Sequence, residues 1–248
     1  MPKKLIIQTD ISVGSQWGDD ATINFIREVC IPSVKNYCIK NDYEHLVIKE
    51  SRYEKEIKKF DFFYTKLKHY AFERYYYLDN GNYDSSIYLD NDIYIFRDSE
   101  PLPEIHGLML VKEPEGKSSK IFKEVNNLKE NFPYYNSGVI MCDPTTAKQL
   151  CEYMFRRLLN YQRAKGKNTD NMMLNEYLLE NQIKLNFLDL ESKWNYMPFL
   201  TNGIKIDNPN FYHFVGKRGK TVINHYLKYC ENEDIEIENF LRNANFSG

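Results

Sequence analysis

Residues 85–98 read Ser85-Ser86-Ile87-Tyr88-Leu89-Asp90-Asn91-Asp92-Ile93-Tyr94-Ile95-Phe96-Arg97-Asp98. Ile87 to Leu89 and Ile93 to Phe96 have the composition of a strand buried on both faces, yet Asp90 and Asp92 interrupt it at the centre. Side chains at i and i+2 share one face of an extended chain, so the two carboxylates point the same way. An ionised carboxylate withdrawn from water either neutralises or finds a cation. A divalent metal answers both charges, and hard oxygen ligands suit magnesium or manganese, which keep positions open for water and substrate phosphates. An Asp-x-Asp pair also fits a solvated acidic turn. The apolar residues on both sides favour the metal. An EF-hand loop is rejected, because Tyr94 and Ile95 stand where that loop requires an oxygen ligand and a glycine.

Upstream of this stretch, residues 60–78 read as an aromatic helix containing Tyr64, Lys66, Leu67, Tyr70, Ala71 and Tyr75, closed by the turn-forming run Asp79-Asn80-Gly81-Asn82. Nearer the start, Leu5 to Thr9 reads as a first buried strand opening onto a loop of Asp10, Ser12, Gly14 and Ser15. Asp19 or Asp20 then caps a helix with Ile23, Ile26, Val29, Cys30, Val34, Tyr37 and Cys38 at helical spacing and Pro32 as a kink or restart. Leu46 to Ile48 is a second strand. Downstream, strands are expected at residues 108–111, within 133–143, and at 184–188 and 211–215. Helices are expected at 144–163 and 170–179, and over most of 221–241. Residues 113–131 are polar without firm periodicity, which fits a flap or a weak helix. Strands separated by helices indicate an α/β sandwich around a largely parallel or mixed sheet, and ligands of such sheets bind outside the carboxyl ends of the strands. Asp10, Asp90 and Asp92 all stand at or near such ends.

A chain of 248 residues with 42% hydrophobic and 27% charged residues is long enough for one globular domain, or one domain with a small addition. The 20 Tyr and 15 Phe supply core area, and the tyrosines bring polar tips suited to the walls of a sugar or nucleotide site. A formal net charge of −2 argues against a protein that coats nucleic acid. The five cysteines are odd in number and contain no Cys-x-x-Cys pair, which indicates neither a disulfide framework nor a structural zinc site and fits a reducing compartment. No apolar run approaches the ~18 residues of a membrane span, and the chain reads as cytoplasmic.

Several further features could belong to the same site. They are Thr9-Asp10 at the end of the first strand, Lys66 on a helix, Asp90-Asn91-Asp92, Asn136-Ser137-Gly138 with Asp170-Asn171 opening a helix, and His213 to Lys220. The chain also reads, in order, Lys66-Leu67, Tyr88-Leu89-Asp90-Asn91-Asp92, Asn136-Ser137-Gly138-Val139, Asp170-Asn171, Lys193-Trp194-Asn195-Tyr196 and His213-Phe214-Val215-Gly216-Lys217. Together they resemble the glycogenin and lipopolysaccharide-galactosyltransferase family of retaining glycosyltransferases. The resemblance runs from about Lys4 to Lys220. It implies a GT-A fold, which is a Rossmann-like arrangement with a central mixed, mostly parallel sheet flanked by helices. Residues 1–220 are then the catalytic domain, and 221–248 a helical extension packed on it.

The resemblance implies that Asp90, Asp92 and His213 bind Mn2+ or Mg2+, which stabilises charge growing on a leaving diphosphate. It places Thr9 and Asp10 at the nucleoside and Asn91 at the ribose. Asn136, Ser137, Asp170 and Asn171 are placed around the donor sugar. Lys66, Lys217 and Lys220, with Gly216, are left for phosphate or donor-sugar contacts. The donor is expected to be a nucleotide diphosphate sugar, a uridine one by preference, and the acceptor a glycan or other hydroxyl compound. Two departures stand out. The family's last motif continues Gly-x-x-Lys-Pro-Trp, whereas this chain reads Gly216-Lys217-Arg218-Gly219-Lys220-Thr221, leaving the diphosphate lysine open between Lys217 and Lys220. Asn171 is shorter than the Gln common at its position.

Other readings of the residues are a P-loop enzyme, a non-catalytic glycan-binding protein and a sugar nucleotidyltransferase. The Gly216-to-Thr221 segment has two residues between its glycines where a P-loop has four. The intact Asp90, Asp92 and His213 count against lost catalysis. A nucleotidyltransferase usually carries a Gly-rich loop directly after its first strand, where this chain offers only Gly14 and Gly18.

Overall fold

The computed structural model describes residues 2–11, 19–50, 70–160, 170–181, 187–198, 206–230 and 236–243. Strand β1 (Lys4–Thr9) is buried along its whole length. Asp19 caps helix α1 (Asp20–Phe25) by accepting from the Thr22 amide, satisfying one of the orphan donors of the first turn. A π turn (Ile26–Cys30) joins α1 to α2 (Ile31–Asn41). The widened turn directly precedes Pro32, whose ring and missing N–H disrupt an α-helical ladder at that point, so the expected kink takes the form of a π insertion. Asp42, in the left-handed region at φ 56°, ends α2 and turns the chain into β2 (Glu44–Ile48).

Helix α3 (Tyr70–Leu78) is the C-terminal half of the expected aromatic helix; the half containing Lys66 lies outside the described residues. The stretch read as one acidic strand is two. β3 (Ser85–Leu89) lies in the main sheet, and β4 (Ile93–Ile95) in a second one, with Asp90 to Asp92 as the corner between them. β5 (Leu108–Lys112) is followed by α4 (Lys117–Val125), a helix within the polar segment that had no clear periodicity. β6 (Tyr135–Cys142), α5 (Pro144–Asn160), α6 (Asp170–Asn181), β7 (Phe187–Leu190), β8 (Phe211–His213), α7 (Gly216–Cys230) and α8 (Ile237–Asn243) complete the order. Helix α7 spans residue 221, where the helical extension is expected to begin.

The main sheet has the order β2-β1-β3-β6-β5-β7 and is parallel except at β6, which runs against both of its neighbours. That reversal positions the site. Asn136, Ser137 and Gly138 open β6, and because β6 is antiparallel they lie at the same sheet edge as the carboxyl ends of β1, β3 and β5. Period-two alternation sorts the apolar residues into two layers. Leu5, Ile7, Tyr88, Leu110 and Ile140 pack with Tyr75, Leu78, Leu150 and Leu174 of the helices on one face. Ile6, Ile87, Leu89, Met109, Val139 and Met141 pack with Val34, Tyr37, Trp194 and Phe211 on the other. A third cluster joins the β4–β8 ribbon to the C-terminal helices through Tyr94, Phe96, Tyr212, Phe214, Val222, Ile223, Ile237 and Leu241.

Candidate active site

The corner after β3 sets two carboxylates against one imidazole. The Asp90 amide donates to the Gly138 carbonyl across the β3–β6 pair at 2.8 Å, and the Asp90 carbonyl accepts from the Ile93 amide at 3.2 Å, closing the turn. Gln8 of β1, fully buried, braces that same carbonyl at 3.2 Å. Antiparallel pairing of β4 with β8 then puts Ile93 opposite His213, and the Phe214 amide donates to the Asp92 carbonyl at 3.1 Å. His213 Nε2 consequently lies 3.5 Å from Asp90 Oδ2 and 3.3 Å from Asp92 Oδ1. One ligand atom from each of the three residues falls within 4.8 Å of the others.

This donor set fits a divalent ion. Two carboxylates and an imidazole supply three ligands to magnesium or manganese and leave the remaining positions for phosphate oxygens and water. The cradle also needs Gly138. A Cβ there would stand 2.2 Å from His213 Cε1 and 2.9 Å from Asp90 Oδ2, so any side chain would displace the ligands. Burial pushes the Asp90 carboxyl up, but Arg74 and then His213 outweigh it and hold it at about 2. Burial keeps Asp92 above its usual value despite the attraction of His213. Burial opposes charge on His213, yet Asp92 and Asp90 raise it to about 10. The imidazolium and a metal ion therefore compete for the same negative pocket.

Arg74 of α3 is the second centre of charge. Its guanidinium lies over the Tyr88 ring at 4.4 Å and reaches Asp90 at 3.0 Å and Asp170 at 3.3 Å. It also donates to the Ser137 carbonyl at 2.7 Å. Around it the β6 residues and the start of α6 interlock. Ser137 Oγ donates to Asp170 at 2.6 Å, and Asn171 Oδ1 accepts from the Ser137 amide at 2.6 Å. Asn136 and Asn171 both donate to Glu113 Oε2, at 3.0 and 2.9 Å. Burial holds the Glu113 carboxyl above its usual range, against the opposing pull of Asn136, His213 and Asn171. The structure thus brings Asn136, Ser137, Asp170 and Asn171 into one network that reaches Asp90 through Arg74.

The remaining candidates are placed as follows. Thr9 Oγ1 shares a buried hydrogen bond with the Tyr88 hydroxyl, which in turn donates to Asp90. Asp10, just past β1, holds the Arg27 Nε between its two oxygens at 3.0 and 3.1 Å. Asn91 is half-buried at the tip of the acidic corner. Gly216 opens α7 with φ 61°. Lys220 is paired with the α1 cap Asp19 at 2.6 Å. The side chain of Lys217, like all of Lys66, lies outside what the structure describes. Gly219 explains the departure in the last motif. A Cβ there would fall 2.1 Å from the Phe214 carbonyl, so a lysine at that position is incompatible with α7 packed as it is.

Arg74, Glu113 and Asn195 were not singled out by sequence reasoning. Glu113 follows the carboxyl end of β5, and the strand-end rule that selected Asp10 and Asp90 applies to it as well. Asn195 belongs to the Lys193-to-Tyr196 motif. Arg74, just before three tyrosines and one turn before the helix end, carries no signal that separates it from a surface cation.

Known proteins agree with this architecture. A solved glycosyltransferase involved in glycosylation of the major capsid of PBCV-1 is similar at a TM-score of 0.60 and 14% identity, over 90% of this chain and 100% of that one. The galactosyltransferase LgtC, solved with donor and acceptor sugar analogues, is similar at a TM-score of 0.54 and 13% identity, over 96% of this chain and 99% of its own. At such identities the likeness shows the GT-A fold. No curated protein matches the chain. The profile of glycosyl transferase family 8 matches residues 26–221, most of the chain, including β3, β4, β6 and β8 around the acidic corner. The chain belongs to glycosyl transferase family 8 and is a nucleotide-sugar glycosyltransferase of the GT-A type.

Proposed function

We propose that this enzyme moves a hexose or pentose from a UDP-sugar to a hydroxyl of a glycan, with Mn2+ or Mg2+ held by Asp90, Asp92 and His213. The observation that carries the reading is the convergence of those three ligand atoms within 4.8 Å, beside the Ser137–Asp170–Asn171 cluster and at the carboxyl ends of β1 and β3. When bound, the ion neutralises charge that develops on the leaving diphosphate. The protein's own residues have separate tasks. Asp10, with Thr9 behind it, borders the nucleoside, and Asn91 borders the ribose. Ser137, Asn136, Asp170 and Asn171 orient the donor sugar, with Arg74 fixing Asp170 and Asp90 at once. Lys217 or Lys220 neutralises a phosphate, Lys220 exchanging Asp19 for it. Lys66 is a further candidate for a donor contact. Retention of anomeric configuration is inferred from the family resemblance. The odd number of cysteines, with no Cys-x-x-Cys pair, fits a reducing compartment, and we place the enzyme in the cytoplasm; among the described residues no helix is long and apolar enough to cross a membrane.

The test is Asp92→Ala assayed for UDP release from a panel of UDP-sugars with manganese present. Loss of turnover with retained folding is expected. Appreciable turnover by that variant would remove Asp92 from the site.

A further inference from the structure

Behind the acidic corner a chain of two buried side chains, Asn136 and Asn195, ends on Nδ1 of His213, the nitrogen turned away from Asp90 and Asp92. Its geometry fixes which imidazole nitrogen carries the proton. The Gly138 amide can only donate, and it meets one end of the Asn136 side chain at 2.8 Å, so that end is the oxygen Oδ1. The other end of Asn136, its amide nitrogen, then donates to Glu113 at 3.0 Å, as a carboxylate requires. Asn136 Oδ1 also lies 3.0 Å from one end of the Asn195 side chain, and an oxygen already committed as an acceptor demands a donor there. Asn195 must therefore turn its NH2 to Asn136 and its Oδ1 to His213 Nδ1, at 2.8 Å. Nδ1 must carry a hydrogen, and the neutral ring is left with its lone pair on Nε2, the nitrogen facing both carboxylates.

We infer that Asn195 is a positioning residue that locks His213 in the Nδ1–H tautomer required for ligation through Nε2, with its own orientation set by Asn136 and the Gly138 amide. The inference rests on the metal reading above. Three observations support it independently of titration. Asn195, Asn136 and His213 are 1%, 5% and 3% exposed, so water is not at hand to substitute for a lost partner. The backbone on both sides of Asn195 is pinned. Trp194 packs edge-on to Phe211 at 5.3 Å, and the Tyr196 carbonyl accepts from the His213 amide at 2.9 Å. The relay also joins the metal pocket to the donor-sugar cluster, because Glu113 receives Asn136 from one side and Asn171 from the other.

The test measures Mn2+ binding to the full chain without nucleotide, by calorimetry at one fixed pH. Outer-shell partners of ligating histidines typically change metal affinity about 10–100-fold, and Asn195→Ala is expected to weaken Mn2+ by that order. Asn195→Asp keeps an oxygen opposite Nδ1–H but sets a second acceptor against Asn136 Oδ1, so it is expected to bind Mn2+ more weakly than the unaltered protein and more tightly than Asn195→Ala, a partial rescue that a merely structural role would not give. An unweakened Asn195→Ala, or an Asn195→Asp as weak as Asn195→Ala, would overturn the positioning role while leaving the metal centre intact. No Mn2+ binding by the unaltered protein would overturn the metal centre and this inference with it. A measurement on the unaltered chain does not depend on how the variants fold. With Mg2+ bound, nitrogen NMR of the His213 ring should find the proton on Nδ1, and a proton on Nε2 would refute the assignment.

Discussion

The guanidinium of Arg74 lies 3.0 Å from Asp90 and 3.3 Å from Asp170, so one buried cation ties the acidic corner after β3 to the first turn of α6. Asp90 and the Ser137–Asp170–Asn171 cluster, the proposed metal ligand and donor-sugar contacts, are thereby fixed relative to each other. Removing one member of a buried ionic group leaves the others uncompensated, at a cost of about 3–5 kcal/mol. Arg74→Ala is expected to lower unfolding stability by that order in a denaturant titration. Arg74→Lys should fall between it and the unaltered protein, because a single ammonium cannot reproduce the fork. Equal stability of Arg74→Ala and the unaltered protein would contradict the bridging role.

Gly138 is the tightest point of the cradle. Its replacement by alanine puts a methyl group 2.2 Å from His213 Cε1, where a ring held by Asn195 and β8 cannot retreat. Gly138→Ala should therefore weaken Mn2+ binding and lower the melting temperature together. A variant that binds the ion as the unaltered protein does would show that the imidazole has room the structure does not provide.

Metal affinity should rise with pH. His213 is raised to about 10 by the neighbouring carboxylates, so through the neutral range the ion must displace a proton from Nε2. Affinity should climb about tenfold per pH unit while one proton leaves per ion bound. Calorimetry in buffers of different ionisation enthalpy counts that proton directly. The sign reverses for the protein without metal. There the raised pKa stabilises the fold fully below the ordinary histidine value of 6.5, and the contribution is lost as pH rises through about 10. An affinity independent of pH would contradict the competition between imidazolium and ion.

The α/β class, most element positions and the Asp90–Asp92 pair are legible in the sequence, because apolar periodicity and strand-end polarity are local signals, whereas His213 joins the pair there only through the family resemblance. Splitting of the acidic stretch into β3 and β4 is not, since Ile93 to Ile95 read as a continuation of the strand and only pairing with the distant β8 draws them into a second sheet. The antiparallel course of β6 is equally non-local, yet it is what turns Asn136 and Ser137 toward Asp170. Arg74 illustrates the limit most clearly. Its burial between Asp90 and Asp170 depends on the register of three elements, and nothing in its immediate neighbours records that. Polarity leaves 113–131 open between a flap and a weak helix in the sequence; one stripe, with Phe122 at its centre, suffices to hold α4.

The measurement that tests the account most directly is calorimetric titration of the full chain with UDP, first with manganese and then with chelator in its place. Tight binding that requires manganese is predicted, because the acidic corner repels a diphosphate unless an ion stands between them. Binding of UDP undiminished by the chelator, or no binding in either condition, would contradict a UDP-sugar enzyme that works through a metal at Asp90, Asp92 and His213.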